Sequence, residues 1–118
     1  MAKIIKNYSL NFSIPKRSKK KIKFIILHYT GMKNESSAIK RLCDESSKVS
    51  SHYFIKNNGE MLNLVPDSYS AWHAGESHWK SFKSLNKYSI GNNERWKTPL
   101  GARLSRDDIV EKLKAILG

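Results

Sequence analysis

Four histidines and three tryptophans are the side chains of this sequence with the most chemistry to offer. His28 closes the apolar run Ile-Lys-Phe-Ile-Ile-Leu-His and is followed by Tyr29, Thr30 and Gly31. An imidazole at the carboxyl end of a strand sits where α/β sheets present ligands. It could bind a metal or move protons there. One histidine alone holds no catalytic metal, which needs about three protein ligands and an open water position. A second cluster reads Val49-Ser50-Ser51-His52-Tyr53-Phe54-Ile55, followed by Asn58-Gly59-Glu60. A third reads Ala71-Trp72-His73-Ala74-Gly75-Glu76-Ser77, with His78 and Trp79 just behind, and a fourth reads Asn86-Lys87-Tyr88-Ser89-Ile90-Gly91. Tryptophan offers a flat apolar face and histidine a directed hydrogen bond, a pairing suited to sugar sites. Taken singly, each cluster also fits ordinary loop or core packing.

These side chains need elements to hold them. Residues 22–28 are nearly all apolar, which suits a central strand buried on both faces. Asn34 can cap a helix that begins near Glu35. Ala38, Ile39, Leu42 and Cys43 then share one helical face. Tyr53 to Lys56 reads as a strand, Asn57-Asn58-Gly59 as a hairpin turn, and Met61 to Val65 as the return strand, ended by Pro66. Residues 67–104 carry little regular pattern, and a long irregular stretch in a compact domain is usually functional. Ser105 with Asp108 resembles a capping box, and Ile109, Val110, Leu113, Ile116 and Leu117 mark an amphipathic last helix. Residues 1–21, interrupted by Pro15, read as a basic N-terminal arm or loop before a single domain over residues 22–118. The fold class expected is α/β, a mixed central β-sheet flanked by α-helices.

Composition narrows the function classes. The chain has 118 residues, 39% of them hydrophobic and 27% charged, which is ordinary globular usage and enough for one core. The net charge of +12 favours anionic partners such as cell wall, lipid surface or nucleic acid. The charges are spread along the chain, and no recognised nucleic-acid motif accompanies them. The single cysteine, Cys43, excludes an intramolecular disulfide. No apolar stretch approaches a membrane span. No signal-like segment opens the chain, so the default expectation is a cytoplasmic location, with periplasm or cell wall as alternatives. Nothing in the sequence indicates an oligomeric state.

As an ordered set, the four clusters resemble one family closely. It is the zinc amidase superfamily of bacterial N-acetylmuramoyl-L-alanine amidases and peptidoglycan recognition proteins, nearest to its AmiD-like branch. His28-Tyr29-Thr30 matches the family's first zinc-ligand strand, and Val49 to Phe54 its V-S-x-H-Y strand. Gly59 to Pro66 matches the hairpin ending L-V-P, Ala71 to Gly75 the A-W-H-A-G loop, and Asn86 to Gly91 the N-x-x-S-I-G approach to the catalytic strand. The resemblance covers residues 20–91. It implies a zinc cofactor with His28 as a ligand. It implies a substrate groove lined by Trp72, His73 and Gly75, with His52 buried or behind it. It also implies hydrolysis of the amide between N-acetylmuramic acid and L-alanine in peptidoglycan or muropeptides.

The resemblance stops at Gly91. The family continues with an apolar residue and a glutamate that serves as general base. Here Asn92 and Asn93 stand in those places, and Glu94 comes one position late, which in a strand reverses the face. Some branches use a tyrosine where this chain has Ser51. The family's late histidine and acidic ligands have no clear counterpart after His78. His52, His78, Asp107 and Asp108 are the residues available as substitutes. Residues 92–118 read as a divergent or truncated end, which leaves the catalytic residue unassigned. Two rival functions follow: a peptidoglycan-binding module without catalysis, and, on charge alone, a basic nucleic-acid-binding domain.

Overall fold

The computed structural model describes residues 4–29, 34–75, 78–79 and 82–94. Five strands form the main sheet: β1 (Ile4–Lys6), β3 (Phe24–Tyr29), β4 (Tyr53–Ile55), β5 (Met61–Asn63) and β9 (Ser89–Glu94). Their order across the sheet is β1-β5-β4-β9-β3. β4 and β5 form the antiparallel hairpin, while β1 lies parallel to β5 and β9 lies parallel to both β4 and β3. Four two-residue strands pair outside this sheet. β2 (Phe12–Ser13) joins β6 (Ser70–Ala71), and β7 (His78–Trp79) joins β8 (Phe82–Lys83).

The helix α1 (Glu35–Cys43) begins where its cap predicts, with the Asn34 side chain accepting from Ser37 N–H at 2.8 Å. Its apolar stripe, Ala38 and Leu42 with Ile39 and Cys43 at the margin, packs on Phe54, Leu62 and Leu64. Alternation along the strands sends Tyr53, Ile55, Met61 and Ile90 into a second cluster with Ile25 and Leu27 on the other face. The hairpin turns at Gly59, whose φ of 91° lies in the region open to glycine. Lys56 N–H donates to Glu60 O across it at 2.8 Å.

Two expectations change. β3 is not central: among the described residues it ends the sheet, and Phe24 to His28 are only half-buried. An apolar run reports burial of faces and carries no information about lateral position. The strand that fills the interior is β9, whose Gly91-Asn92-Asn93 has poor strand propensity and gave no periodic signal. The N-terminal segment is also no loose arm, because β1 extends the sheet and β2 pairs with β6. The segment is stitched down by buried polar groups. Asn11 Nδ2 donates to Asp44 O and Val49 O, both at 2.9 Å, and Ser9 N–H donates to Leu64 O at 2.7 Å. The last helix expected over residues 105–117 lies outside the described residues.

Candidate active site on the sheet face beneath the helix side

The parallel register sets His28 beside Asn93 of β9, and Asn93 beside Phe54 of β4. Residues in register share a face, so His28 and Asn93 lie on the face that also carries α1. The loop after β6 lays His73 onto that face. His28 Nε2 and His73 Nδ1 stand 2.9 Å apart, with the rings edge to face at 75°. Gly91 makes this possible: a Cβ there would lie 2.6 Å from His73 Nδ1. That explains in physical terms why a glycine follows Ser89-Ile90.

The hydrogen bonds assign the tautomers. Ser89 Oγ–H donates to Leu85 O at 2.7 Å, which uses its only proton. It must therefore accept from His73 Nε2–H at 3.0 Å. His73 Nδ1 is then the acceptor, and His28 Nε2–H the donor to it. The lone pair of His28 thus resides on Nδ1, where it can take a proton, a hydrogen bond or a metal. Burial holds His28 below the ordinary imidazole range. Burial, then the neighbouring imidazoles, holds His73 at about 2. Both rings are neutral at pH 7.

His52 is fully enclosed. Its Nδ1 accepts from Gly91 N–H at 3.1 Å, and its Nε2–H donates to Tyr69 O at 2.8 Å. Burial lowers it to about 3. With both nitrogens bound to backbone, it ties β9 to the loop before β6 and meets the groove only through His73, 6.0 Å away between ring centroids.

Trp72 departs from the pair. Its indole Nε1–H donates to Ser13 Oγ at 2.7 Å, toward the N-terminal segment, while its backbone exchanges bonds with Ser50. The structure brings His28 and His73 together and directs the Trp72 indole elsewhere. Gly75 is exposed, with a φ of 60°. Glu94 occupies the register position one step beyond Asn93, opposite Tyr29 and Ile55. His78 belongs to β7, and Asp107 and Asp108 lie outside the described residues. Sequence reasoning passed over Asn86, whose side-chain oxygen accepts from His73 N–H at 3.2 Å and Ala74 N–H at 2.8 Å. It also passed over Arg17, buried with Nε donating to Asp67 O and Nη1 to Asn86 O, while Nη2 lies 3.0 Å from the His52 Nε2 whose proton goes to Tyr69 O. Asn86 opens the fourth motif, which was its only signal.

The zinc implied by the resemblance can be tested against these side chains. Among the described residues no three His, Cys, Asp or Glu side chains gather as a metal site. The three imidazoles that do gather are committed to one another, to the Ser89 hydroxyl or to backbone, apart from His28 Nδ1. The described residues offer one ligand and do not by themselves fit a zinc ion.

Residues 18–93 match the family model described as N-acetylmuramoyl-L-alanine amidase. The chain therefore belongs to the N-acetylmuramoyl-L-alanine amidase family. It is 37% identical over 93 residues to N-acetylmuramoyl-L-alanine amidase AmiD of Escherichia coli (strain K12), across 70% of this chain and 33% of that protein. The chain thus spans about a third of the length of that relative. The solved complex of E. coli AmiD with the substrate anhydro-N-acetylmuramic acid-L-Ala-D-γ-Glu-L-Lys superposes with a TM-score of 0.60 at 30% identity, over 80% of this chain and 41% of that one. A selenomethionine derivative of AmpD shares the fold, with a TM-score of 0.67 at 19% identity, over 98% of this chain and 72% of that one.

Proposed function

We propose that the chain acts as an N-acetylmuramoyl-L-alanine amidase, hydrolysing the amide between N-acetylmuramic acid and L-alanine in muropeptides or peptidoglycan. The observation that most supports this is the ordered pair of His28 and His73, locked on a β9 that carries the family's Ser-Ile-Gly. His73 fixes the ring of His28 and keeps the Nδ1 lone pair available. Ser89 and Asn86 fix His73 in turn. Asn93, beside His28 in register, can donate a hydrogen bond to a substrate oxygen but cannot take a proton at neutral pH. Zinc is the cofactor the family resemblance suggests, with His28 as its one candidate ligand here. The described residues do not complete its site, so no step is assigned to it.

A second reading, a muropeptide-binding module without turnover, is favoured by Asn93 standing at the position of the general base. Muropeptide hydrolysis and bound zinc, both measured on the purified chain with a chelator-treated control, separate the two. Zinc bound one to one with turnover of about one per second or faster, an ordinary enzyme rate, supports the amidase. Binding of muropeptide without release of the peptide supports the module. Absence of both overturns the proposal.

A further inference from the structure

A second feature flanks the histidine pair. A cavity of about 360 Å³ opens between the N-terminal segment and the loops after β6 and β8, a size within the range of about 300–1,000 Å³ of small-molecule sites. Four cationic residues line it: Lys16, Arg17 and Lys21 from the N-terminal segment, and Lys87 from the turn before β9. Among the described residues no acidic side chain does. Arg17 is 9% exposed, and the groups around its guanidinium are neutral: it donates to two backbone carbonyls and lies against the His52 ring. Burial makes its charge costly, and Asp67 offsets only part of that. The Asp67 carboxylate accepts from Tyr53 O–H at 2.9 Å and does not line the cavity. One carboxylate set back from four cations leaves a strong preference for an incoming anion.

The cavity is coupled to the histidine pair by a single residue. The Asn86 side chain holds the backbone of His73 and Ala74, and its carbonyl accepts from Arg17 at 3.0 Å. Gly75, two residues beyond His73, forms part of the cavity wall. A ligand lying across His28 and His73 can therefore reach the cavity with its next few atoms. A neutral sugar has no use for four cations, whereas a peptide with a γ-linked glutamate carries a free α-carboxylate beside its amide chain.

We propose that this cavity is an oxyanion subsite that takes a carboxylate of the ligand's peptide, with Lys16, Lys21 and Lys87 on its rim and Arg17 at its base. The proposal rests on the muropeptide reading above. The probes are two muramoyl-L-Ala-γ-D-Glu-L-Lys ligands, C-terminally amidated in both, with the glutamate α-carboxyl free in one and amidated in the other. Calorimetric binding to the full chain should be about tenfold weaker for the amidated ligand, the usual worth of one charge-assisted contact. Lys16→Ala, Lys21→Ala and Lys87→Ala, all at exposed positions, should each shrink that difference, and the triple variant should reduce it to the part Arg17 supplies while the amidated ligand binds as before. Raising the salt should weaken only the free-carboxyl ligand. Equal binding of the two ligands overturns the subsite and leaves the muropeptide reading standing. Failure of both to bind overturns that reading and the subsite with it. Saturable binding of inorganic phosphate that the lysine variants remove, with the two peptides equal, would assign the cavity to a free oxyanion and overturn its role in peptide recognition.

Discussion

Two imidazoles on the same sheet face show opposite designs. Around His52 every polar atom is spent: Nδ1 on Gly91 N–H, Nε2–H on Tyr69 O, with the ring fully enclosed. Around His28 one nitrogen is fixed by His73, and the other keeps its lone pair at a half-buried strand end. The first arrangement is a fastener and the second a tool. What separates them is where the hydrogen bonds go, for both side chains are the same chemically and both sit next to the ring of His73. A fully bonded buried histidine stabilises a fold, and a histidine bonded on one side only is preorganised for something that arrives later.

The contrast can be broken most severely at His52. His52→Ala leaves a cavity and two buried backbone groups without partners, each worth about 1–3 kcal/mol. Unfolding in urea should show a loss of about 3–5 kcal/mol, against about 1 kcal/mol or less for His28→Ala, which forfeits one part-buried bond. Equal losses would erase the distinction. The other side of the comparison is sharpened by Asn93→Glu, which returns a carboxylate to the register position beside His28. If the amidase reading holds, hydrolysis of muropeptide should rise by about 10²–10⁴-fold, the usual worth of a general base. An unchanged rate with unchanged binding favours the binding module.

Gly91→Ala tests the surface that carries both rings. The new methyl would collide with the body of the His73 ring, so the ring must leave or the strand must shift, at about 1–3 kcal/mol. The His28 ring should lose its fixed tautomer at the same time, visible as averaged 15N shifts of its two nitrogens. The comparison also has a pH dependence, gradual per pH unit but large over the whole window. His52 titrates at about 3 in the folded chain and near 6.5 when unfolded. Below pH 6.5 the unfolded chain binds a proton that the folded chain refuses, so stability falls as pH falls. The window runs from about 6.5 down to about 3, with a slope of about 1.4 kcal/mol per pH unit from this residue. Urea midpoints measured across that range should lose that slope in His52→Gln, provided the variant folds, with His28→Gln as the control that largely keeps it.

Much of this comparison was legible in the sequence and some of it was not. The strand before His28, the helix capped by Asn34 and the turn at Gly59 announce themselves through local patterns, since apolar spacing and turn chemistry act over a few residues. β9 gave no such signal, because Ile90 is the one strongly apolar side chain in Ser-Ile-Gly-Asn-Asn-Glu. Only the motif resemblance pointed to a strand there. The fixing of the N-terminal segment by Asn11 and Arg17 was also hidden. Both act through side chains on carbonyls that lie between 33 and 69 residues away, and no local pattern encodes such a partner. The closeness of His28 and His73 is likewise a long-range matter, and the turn of Trp72 toward Ser13 was contrary to what its adjacency to His73 suggested.

The place of β9 between β4 and β3 has a consequence for how the molecule assembles. Phe24 must wait for Ser89, roughly 65 residues further along the chain, before β3 gains its neighbour in the sheet. The hairpin of β4 and β5 can close early, since its strands are joined by a short turn. Two of the three parallel pairings among the described residues, β4 with β9 and β3 with β9, then depend on one late strand, and parallel pairing across long loops is slow to form. During synthesis the apolar edge of β3 therefore stays unpaired until most of the chain has emerged. Gly91 and the two asparagines, poor strand formers by themselves, make β9 a segment that acquires its structure from its neighbours. Folding measured by stopped-flow should accordingly be limited by β9 docking, with Ile90→Val slowing refolding more than the same loss of one methyl at Ile55.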